Sequence, residues 1–321
     1  MHSRLPKHKT RLRGLALTPG PSPNAVGEGR LESAQADFVL LQVQFQLPQQ
    51  SSRHAQSYRF WEPHMNASGI LTEMTIEDVQ AFAPQVGAIG LGSTEPHGPH
   101  LPYGTDTFLL EAALEPAVRR ANAEGARVLL LPPLPISLNN NMRAFPYALK
   151  FGVPTFMQML ADLVAEFAKE GVKKVVLFNA HGGNPDVIRA FQRDAMKQDG
   201  PFIALVNVYE MASEVIARLI RHPSDHAGEF ETSLMLAYKP ELVRPERFAD
   251  NPPASVQVDC LRRFPAHFVR PWHLYLPRSA GGDCRESTAE KGQAIQAATI
   301  EALAAFLKEL SDAPWSPTFP Y

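Results

Sequence analysis

Four short, mainly apolar runs, separated by helix-length segments, constrain the fold of this chain most strongly. They lie at residues 85–92, 127–134, 173–179 and 202–208. Strands that are apolar on both faces are typical of a mostly parallel sheet covered by helices on each side, so the predicted fold class is α/β. The spacing of Thr75 and Asp78 is that of a capping box and predicts the start of a short first helix. Further helices are predicted at 106–123, 154–170, 185–198, 211–221, 228–238 and 288–310.

The first 65 residues differ in composition from the rest of the chain. Residues 1–65 carry a net charge of +4 and residues 66–321 a net charge of −6. Turn-forming residues interrupt the first segment, and only residues 38–47 alternate like a strand. We therefore expect residues 1–65 to be a largely disordered extension and residues 66–321 to form the functional domain. Whether residues 1–64 are a native arm or an upstream reading-frame extension before Met65 stays open.

Composition and cysteine content exclude several classes of protein. A pI near 6.6 gives no general attraction to a polyanion, so no nucleic-acid partner is predicted, and the cations of residues 1–65 are interpreted as a solvated tail. Neither a secretory signal nor an apolar run of membrane-spanning length is present, so no membrane partner is predicted. Cys260 and Cys284 form no CxxC pair. We expect a cytoplasmic protein.

The first of three polar clusters follows the strand at 85–92. In parallel sheets, ligands bind beyond the carboxyl ends of the strands. Glu95 and His97 are two residues apart, so they project to the same side of an extended segment, and Asp106 follows eleven residues after Glu95. Carboxylate and imidazole ligands together suit zinc or manganese. Taken alone, Asp106 also suits a helix N-cap, and His100 is interpreted as a supporting residue.

The second and third clusters lie at residues 179–186 and 224–233. His181 ends a buried strand and is followed by two glycines, which indicates a ligand, a structural histidine or a weak phosphate cradle. If a helix has begun at His226, then His226 and Glu229 share a face and Glu231 is turned aside. That pattern favours a ligand or acid/base pair, and the alternative is an acidic first helical turn.

Together the three clusters resemble the creatininase (creatinine amidohydrolase) family of dinuclear metal amidohydrolases. The motifs that carry the resemblance are Glu95-Pro-His97-Gly-Pro-His-Leu-Pro with Thr105-Asp106, His181-Gly-Gly-Asn184, and His226-Ala-Gly-Glu229-Phe-Glu231-Thr-Ser. They match in order and spacing within about residues 70–310. The resemblance implies a three-layer α/β/α sandwich, a homo-oligomer, commonly a hexamer, and two divalent ions per subunit, Zn²⁺ or Mn²⁺.

The resemblance also implies a ligand set. Carried over by position, the ligands are Glu95 and His181 on one ion, His97 on the other, and Asp106 bridging both. In creatininase the remaining carboxylate comes two residues after the strand-end histidine, where this chain has Gly183. Glu229 is predicted to replace it, and Glu231 is the alternative.

The expected reaction is hydrolysis of a cyclic or linear amide C–N bond by a metal-activated hydroxide. His226 matches the family's catalytic histidine and is predicted to carry the proton to the departing nitrogen, with Glu229 as its acid/base partner. Asn184 and Asp225 are candidates for orienting the ligands or the substrate.

The predicted substrate is a small-molecule amide other than creatinine. In creatininase a Tyr follows the strand-end histidine and a Trp precedes the catalytic histidine by four residues. Gly182 and His222 occupy those two positions here and are predicted to line the substrate pocket. Two other functions remain open, a metal-dependent phosphoesterase and a non-catalytic metal or small-molecule binding protein.

Overall fold

The computed structural model describes residues 66–224 and 226–321, so the predicted extension at 1–65 and Asp225 lie outside it. The strands are β1 (Val86–Leu91), β2 (Val128–Leu130), β3 (Lys174–Asn179), β4 (Phe202–Asn207), β5 (Asp250–Asn251) and β6 (Gly282–Asp283). The α-helices are α1 (Ile76–Phe82), α2 (Thr105–Ala123), α3 (Val153–Lys169), α4 (Pro185–Ala195), α5 (Ser213–Leu219), α6 (Glu229–Tyr238), α7 (Asp259–Arg263), α8 (Trp272–Tyr275) and α9 (Ala289–Asp312). Short 3-10 turns lie at Leu71–Glu73, Asn140–Met142, Val208–Ala212, Pro240–Leu242 and Pro245–Arg247.

The central sheet has four parallel strands in the order β2-β1-β3-β4. β1 and β3 lie in the middle, and every residue of both strands is buried. This burial on both faces explains the near-continuous apolar sequences of the two strands. The chain crosses from β2 to β3 over β1, so a crevice opens beyond the carboxyl ends of β1 and β3, where open parallel sheets bind ligands.

Helices cover both faces of the sheet, which gives three layers. Val86 and Ala88 of β1 pack in one core with α2 and α9. Ile89 and Leu91 pack in a second core on the opposite face, with α3 and α4. Because side chains of a strand alternate between faces, one apolar run supplies both cores. The predicted α/β/α sandwich with a mostly parallel central sheet is therefore confirmed.

The observed elements also refine the sequence prediction. The capping box at Thr75 is present, with the Thr75 side chain accepting from the backbone N–H of Asp78. Between residues 239 and 287 the structure has α7, α8 and the antiparallel pair of β5 and β6, none of which was predicted. These elements are only two to five residues long, too short to show a hydrophobic period. Within the described ranges, no helix combines the length and apolarity that crossing a membrane requires.

Candidate metal centre

The predicted ligands meet because β1 and β3 are neighbours in the sheet. Leu91 at the end of β1 pairs with Asn179 at the end of β3, so the loops that follow them emerge side by side. The first loop carries Glu95 and His97, and the second carries His181. Asp106 arrives from the first turn of α2. Helix α2 passes close to the strand end at Gly92, where a Cβ would lie 2.4 Å from the Thr107 Oγ1.

Four predicted ligands, Glu95, His97, Asp106 and His181, form one buried cluster, each at most 5% exposed. The Asp106 carboxylate lies between the two histidines. Its Oδ1 is 3.0 Å from His97 Nε2, and its Oδ2 is 3.1 Å from His181 Nδ1. Glu95 Oε2 lies 3.2 Å from the same nitrogen of His181. Ligand atoms around a tetrahedral Zn²⁺ are spaced about 3.3 Å apart, so these separations match a shared coordination sphere.

Two three-residue groups of potential ligands share Asp106. One contains Glu95, Asp106 and His181, and the other contains His97, Asp106 and Glu231. Within each group the ligand atoms lie within 4.8 Å of one another. Each oxygen of Asp106 faces a different group, which is the arrangement of a bridging carboxylate. Asp106 is therefore not the helix N-cap, a position that Gly104 occupies.

Backbone carbonyls hold both histidines in the tautomer that ligation requires. His97 Nδ1 lies 3.1 Å from the Glu95 carbonyl, which leaves Nε2 to face Asp106. His181 Nε2 lies 3.0 Å from the Leu138 carbonyl, which leaves Nδ1 to face Asp106. Such hydrogen bonds fix the orientation of metal-binding imidazoles. Farther out, Asn139 donates to Ser93 Oγ (2.7 Å), which in turn donates to Glu95 Oε2 (3.2 Å).

The charges of the cluster fit divalent cations. In the described part of the chain, the ion-pair partners of Glu95, Asp106 and Glu231 are all histidines rather than lysines or arginines. Burial lowers the pKa of His97, but the nearby carboxylates outweigh burial and raise the pKa to about 10. The pKa of His181 is raised well above its usual value in the same way. The negative charge of the acids thus favours protonation of the two imidazoles. Bound metal ions would neutralise the same buried negative charge.

The carboxylate of Glu229, the predicted replacement ligand, is engaged by partners outside the cluster. Its Oε2 accepts from the backbone N–H groups of Arg221 and His222, both at 2.8 Å, and its Oε1 accepts from Lys291 Nζ at 2.5 Å. Helix α6 starts at Glu229 itself, so His226 belongs to the preceding loop and the assumed helical spacing from His226 does not apply. Glu231 is the glutamate of α6 that joins the cluster, with Oε2 3.9 Å from His97 Nε2.

His226, the predicted catalytic histidine, is buried beside the cluster and forms a third group of potential ligands with Glu95 and His97. Its Nε2 lies 2.8 Å from the Pro96 carbonyl, so Nδ1 faces Glu95 Oε1 at 3.6 Å. Burial and the neighbouring His97 lower the pKa of His226 to about 4. Ser279 donates to the same carbonyl (2.7 Å), and the Trp272 ring meets the His226 ring edge-on with centroids 5.6 Å apart. Trp272 and Ser279 lie between residues 239 and 287, where the sequence shows no hydrophobic periodicity, so the sequence analysis did not identify them.

The remaining predicted residues occupy different positions around the centre. Asn184 is fully buried, accepts from the Leu138 N–H (3.3 Å) and donates to Asn179 (3.1 Å), so it joins loops rather than facing a pocket. Gly182 is exposed with open space on its Cβ side. The His222 side chain is 39% exposed and lies 3.5 Å from Glu286. Asp225 is outside the described residues.

Comparisons with known proteins agree with this architecture. The creatininase family profile (creatinine amidohydrolase) matches residues 72–307. The creatinine amidohydrolase of Pseudomonas putida is 25% identical over 269 residues, covering 76% of this chain and 98% of that protein. The mycofactocin precursor peptide peptidase of Mycobacterium tuberculosis strain H37Rv is 26% identical over 243 residues, covering 73% and 88%.

Solved structures show the same fold. A creatinine amidohydrolase homologue from Bacteroides fragilis superimposes with a TM-score of 0.70 at 29% identity, covering 78% of this chain and all of that one. Solved creatininases with TM-scores of 0.62 and 0.63 include manganese and Zn-Zn forms. The family profile spans most of the described chain, and the predicted resemblance is confirmed: the chain belongs to the creatininase family of hydrolases.

Proposed function

We propose that this protein is a metal-dependent amidohydrolase that cleaves an amide C–N bond at a dinuclear centre. The observation that carries the proposal is the pair of ligand groups that share Asp106. Glu95 and His181 complete the group on one side, and His97 and Glu231 complete it on the other. The relatives named above act on creatinine or on a peptide, which are both amides, and solved creatininases contain manganese or zinc.

Two divalent ions held by these residues would supply Lewis-acid polarisation of the amide carbonyl and acidify water. The protein's own contribution begins with His226. Because the Pro96 carbonyl takes the Nε2 hydrogen, Nδ1 carries the lone pair on the side of Glu95. From there His226 can accept a proton and deliver it to the departing nitrogen. Ser279 and Trp272 restrict the ring from two other sides.

The surroundings of His226 favour a substrate other than creatinine. Gly182 has no side chain, and His222 has only a small, part-exposed imidazole, at the positions where the resemblance implies Tyr and Trp. Trp272, from α8, packs against His226. The differences at 182 and 222 support a small amide other than creatinine, cyclic or linear.

The function is tested by an amidase screen of the Mn²⁺- and Zn²⁺-loaded protein over creatinine, cyclic ureides, lactams, formamides and short peptides. A phosphate monoester serves as the counter-screen. We expect hydrolysis of at least one amide and none of the phosphate ester.

His226→Ala should retain its metal and lose about 10²- to 10⁴-fold in kcat, the usual contribution of a proton-transfer group. His267→Ala, at an exposed histidine, is the matched control. Full activity of His226→Ala would contradict the assigned role.

Metal analysis tests the dinuclear centre. We expect two ions per chain, and one ion or fewer in Glu231→Gln. Since metal must displace the protons held on His97 and His181, binding should release protons and tighten as the pH rises toward about 10. Calorimetry in two buffers with different ionisation enthalpies measures that release. One ion per chain or fewer in the wild-type protein after reconstitution would overturn the dinuclear assignment.

A further inference from the structure

Glu229 is fully buried yet lies outside both ligand groups. Its two carboxylate oxygens are both occupied. Oε2 accepts from two consecutive backbone N–H groups, of Arg221 and His222, and Oε1 accepts from Lys291 in the first turn of α9. A buried carboxylate with an ammonium partner and two amide donors is well compensated, whereas removal of one partner leaves an unpaired buried charge. The side chain therefore joins three segments, the loop at 221–222, α6 and α9.

The joined loop is the one that carries His226. It runs from residue 220 to α6, and the first turn of α6 holds it at two points. Glu229 binds its beginning at 221–222, and Glu231 Oε2 accepts from the N–H of Ala227 (2.5 Å) at its end. His226 lies between these two attachments, and its carbonyl accepts from the Gly281 N–H at 2.8 Å.

The loop also has a conformation that needs external support. Ala227 has a φ of 48°, in the left-handed region that non-glycine residues rarely adopt. Such a backbone persists only where the surroundings hold it in place. At the neighbouring Gly228 the loop is packed so closely that a Cβ would lie 1.6 Å from Ser224 Oγ.

We propose that Glu229 and Lys291 form a loop clamp, a pair of positioning residues that hold the described loop residues 221–224 and 226–227 so that His226 Nδ1 faces the cluster. This inference rests on the proposed function for the role of His226. In this inference Glu229 positions His226 for proton transfer and does not bind a metal ion. Lys291 also donates to the Glu286 carbonyl (2.8 Å), which fixes the ammonium where α9 begins.

The test compares Glu229→Gln and Lys291→Met with Glu301→Gln, a control at the surface ion pair with Arg120. Three quantities are measured: metal content, hydrogen exchange of peptides covering 221–227 and 95–106, and kcat and KM for the best amide of the screen. We expect both clamp variants to keep two ions per chain. Exchange should become about tenfold faster in 221–227 only. The value of kcat should fall about tenfold or more, with KM changing less than about threefold, because misplacing a reacting group costs rate rather than binding.

Two further variants separate positioning from bulk stability. Lys291→Arg keeps the cation and should recover most of kcat. The double variant Glu229→Gln with Lys291→Met should be no slower than Glu229→Gln alone, since both changes break one interaction. If Glu229→Gln does not yield folded protein, Lys291→Met carries the same test, because it leaves Glu229 its two amide donors.

Loss of one ion per chain in Glu229→Gln would overturn the inference in favour of ligation. Unchanged exchange and unchanged kcat in both variants would overturn it as well. Failure of the proposed function has a different signature, because wild-type protein would then hydrolyse no amide. The exchange measurement would still show whether the clamp orders the loop.

Discussion

At the scale of single residues, Gly183 packs against the hydrogen bond that orients the His181 imidazole. A Cβ there would lie 2.4 Å from His181 Nε2 and 2.5 Å from the Leu138 carbonyl. Those two atoms are themselves hydrogen-bonded at 3.0 Å, and this bond orients the imidazole. A side chain at 183 would separate them. The resemblance to creatininase implies a glutamate ligand at the equivalent position, whereas here we propose that Glu231 from α6 takes that role and that residue 183 stays small.

Gly183→Ala should therefore disturb His181 and weaken metal binding. We expect a loss of about 1–3 kcal/mol in the free energy of unfolding, as is common for overpacked sites, together with fewer bound ions. Gly182→Ala is the matched control, because nothing lies within 4 Å of a Cβ at that position. Urea unfolding and metal analysis of both variants check the prediction. Equal metal content and equal stability of the two variants would contradict it.

At the scale of secondary-structure elements, β3 is tied to α9 by a buried lysine. Lys174, in the first position of β3, is 4% exposed. Its Nζ donates to the carbonyls of Leu310 (2.6 Å), Ser311 (3.1 Å) and Ala313 (2.8 Å). The last carbonyls of a helix have no partner within the helix and carry its negative partial charge. Lys174 supplies hydrogen-bond donors to these carbonyls and a positive charge at this end of the helix. It thereby anchors the C-terminal end of α9 to the sheet, at the opposite end of the helix from Lys291 of the loop clamp.

Lys174→Met should leave these carbonyls without their ammonium donor. We expect the free energy of unfolding to fall by about 2–3 kcal/mol, the typical worth of hydrogen bonds to a charged group. Lys173→Met changes the exposed neighbouring lysine and should alter it by less than about 0.5 kcal/mol. Chemical denaturation measures both. A Lys174→Met protein as stable as the control would show that water replaces the lysine.

At the scale of the whole molecule, the formal net charge of −2 is the sum of two segments with opposite charge. Residues 1–65 carry +4 and the remainder −6. All ligands of the candidate centre, His226 and the loop clamp lie in the second part. We predict that a chain starting at Met65 keeps two ions per chain and a melting temperature within about 2 °C of the full chain. Differential scanning calorimetry and metal analysis check this, and loss of folded protein would show that the extension is structural.

Light scattering of the full chain and of the chain starting at Met65 tests the predicted homo-oligomer.

The sequence alone predicted the order of the main strands and longer helices and, together with the family resemblance, four candidate ligands. Both depend on local information. Apolar runs of seven or eight residues identify strands that are buried on both faces, and strand ends in a parallel sheet place the residues that follow them at one edge. For that reason the positions of Glu95, His97, Asp106 and His181 along the chain are enough to group them at one site.

Only the tertiary structure brings Glu231 rather than Glu229 next to His97 and Asp106, and it adds Trp272 and Ser279 as neighbours of His226. The choice between the glutamates depends on where α6 begins, because starting the helix at Glu229 instead of His226 removes the shared face. No periodicity within 220–229 marks that start, where Lys291 of α9 binds Glu229 and Gly228 packs closely against Ser224. Trp272 and Ser279 reach His226 from 46 and 53 residues away along the chain. Contacts between such distant residues depend on packing, which the periodicity of a sequence does not encode.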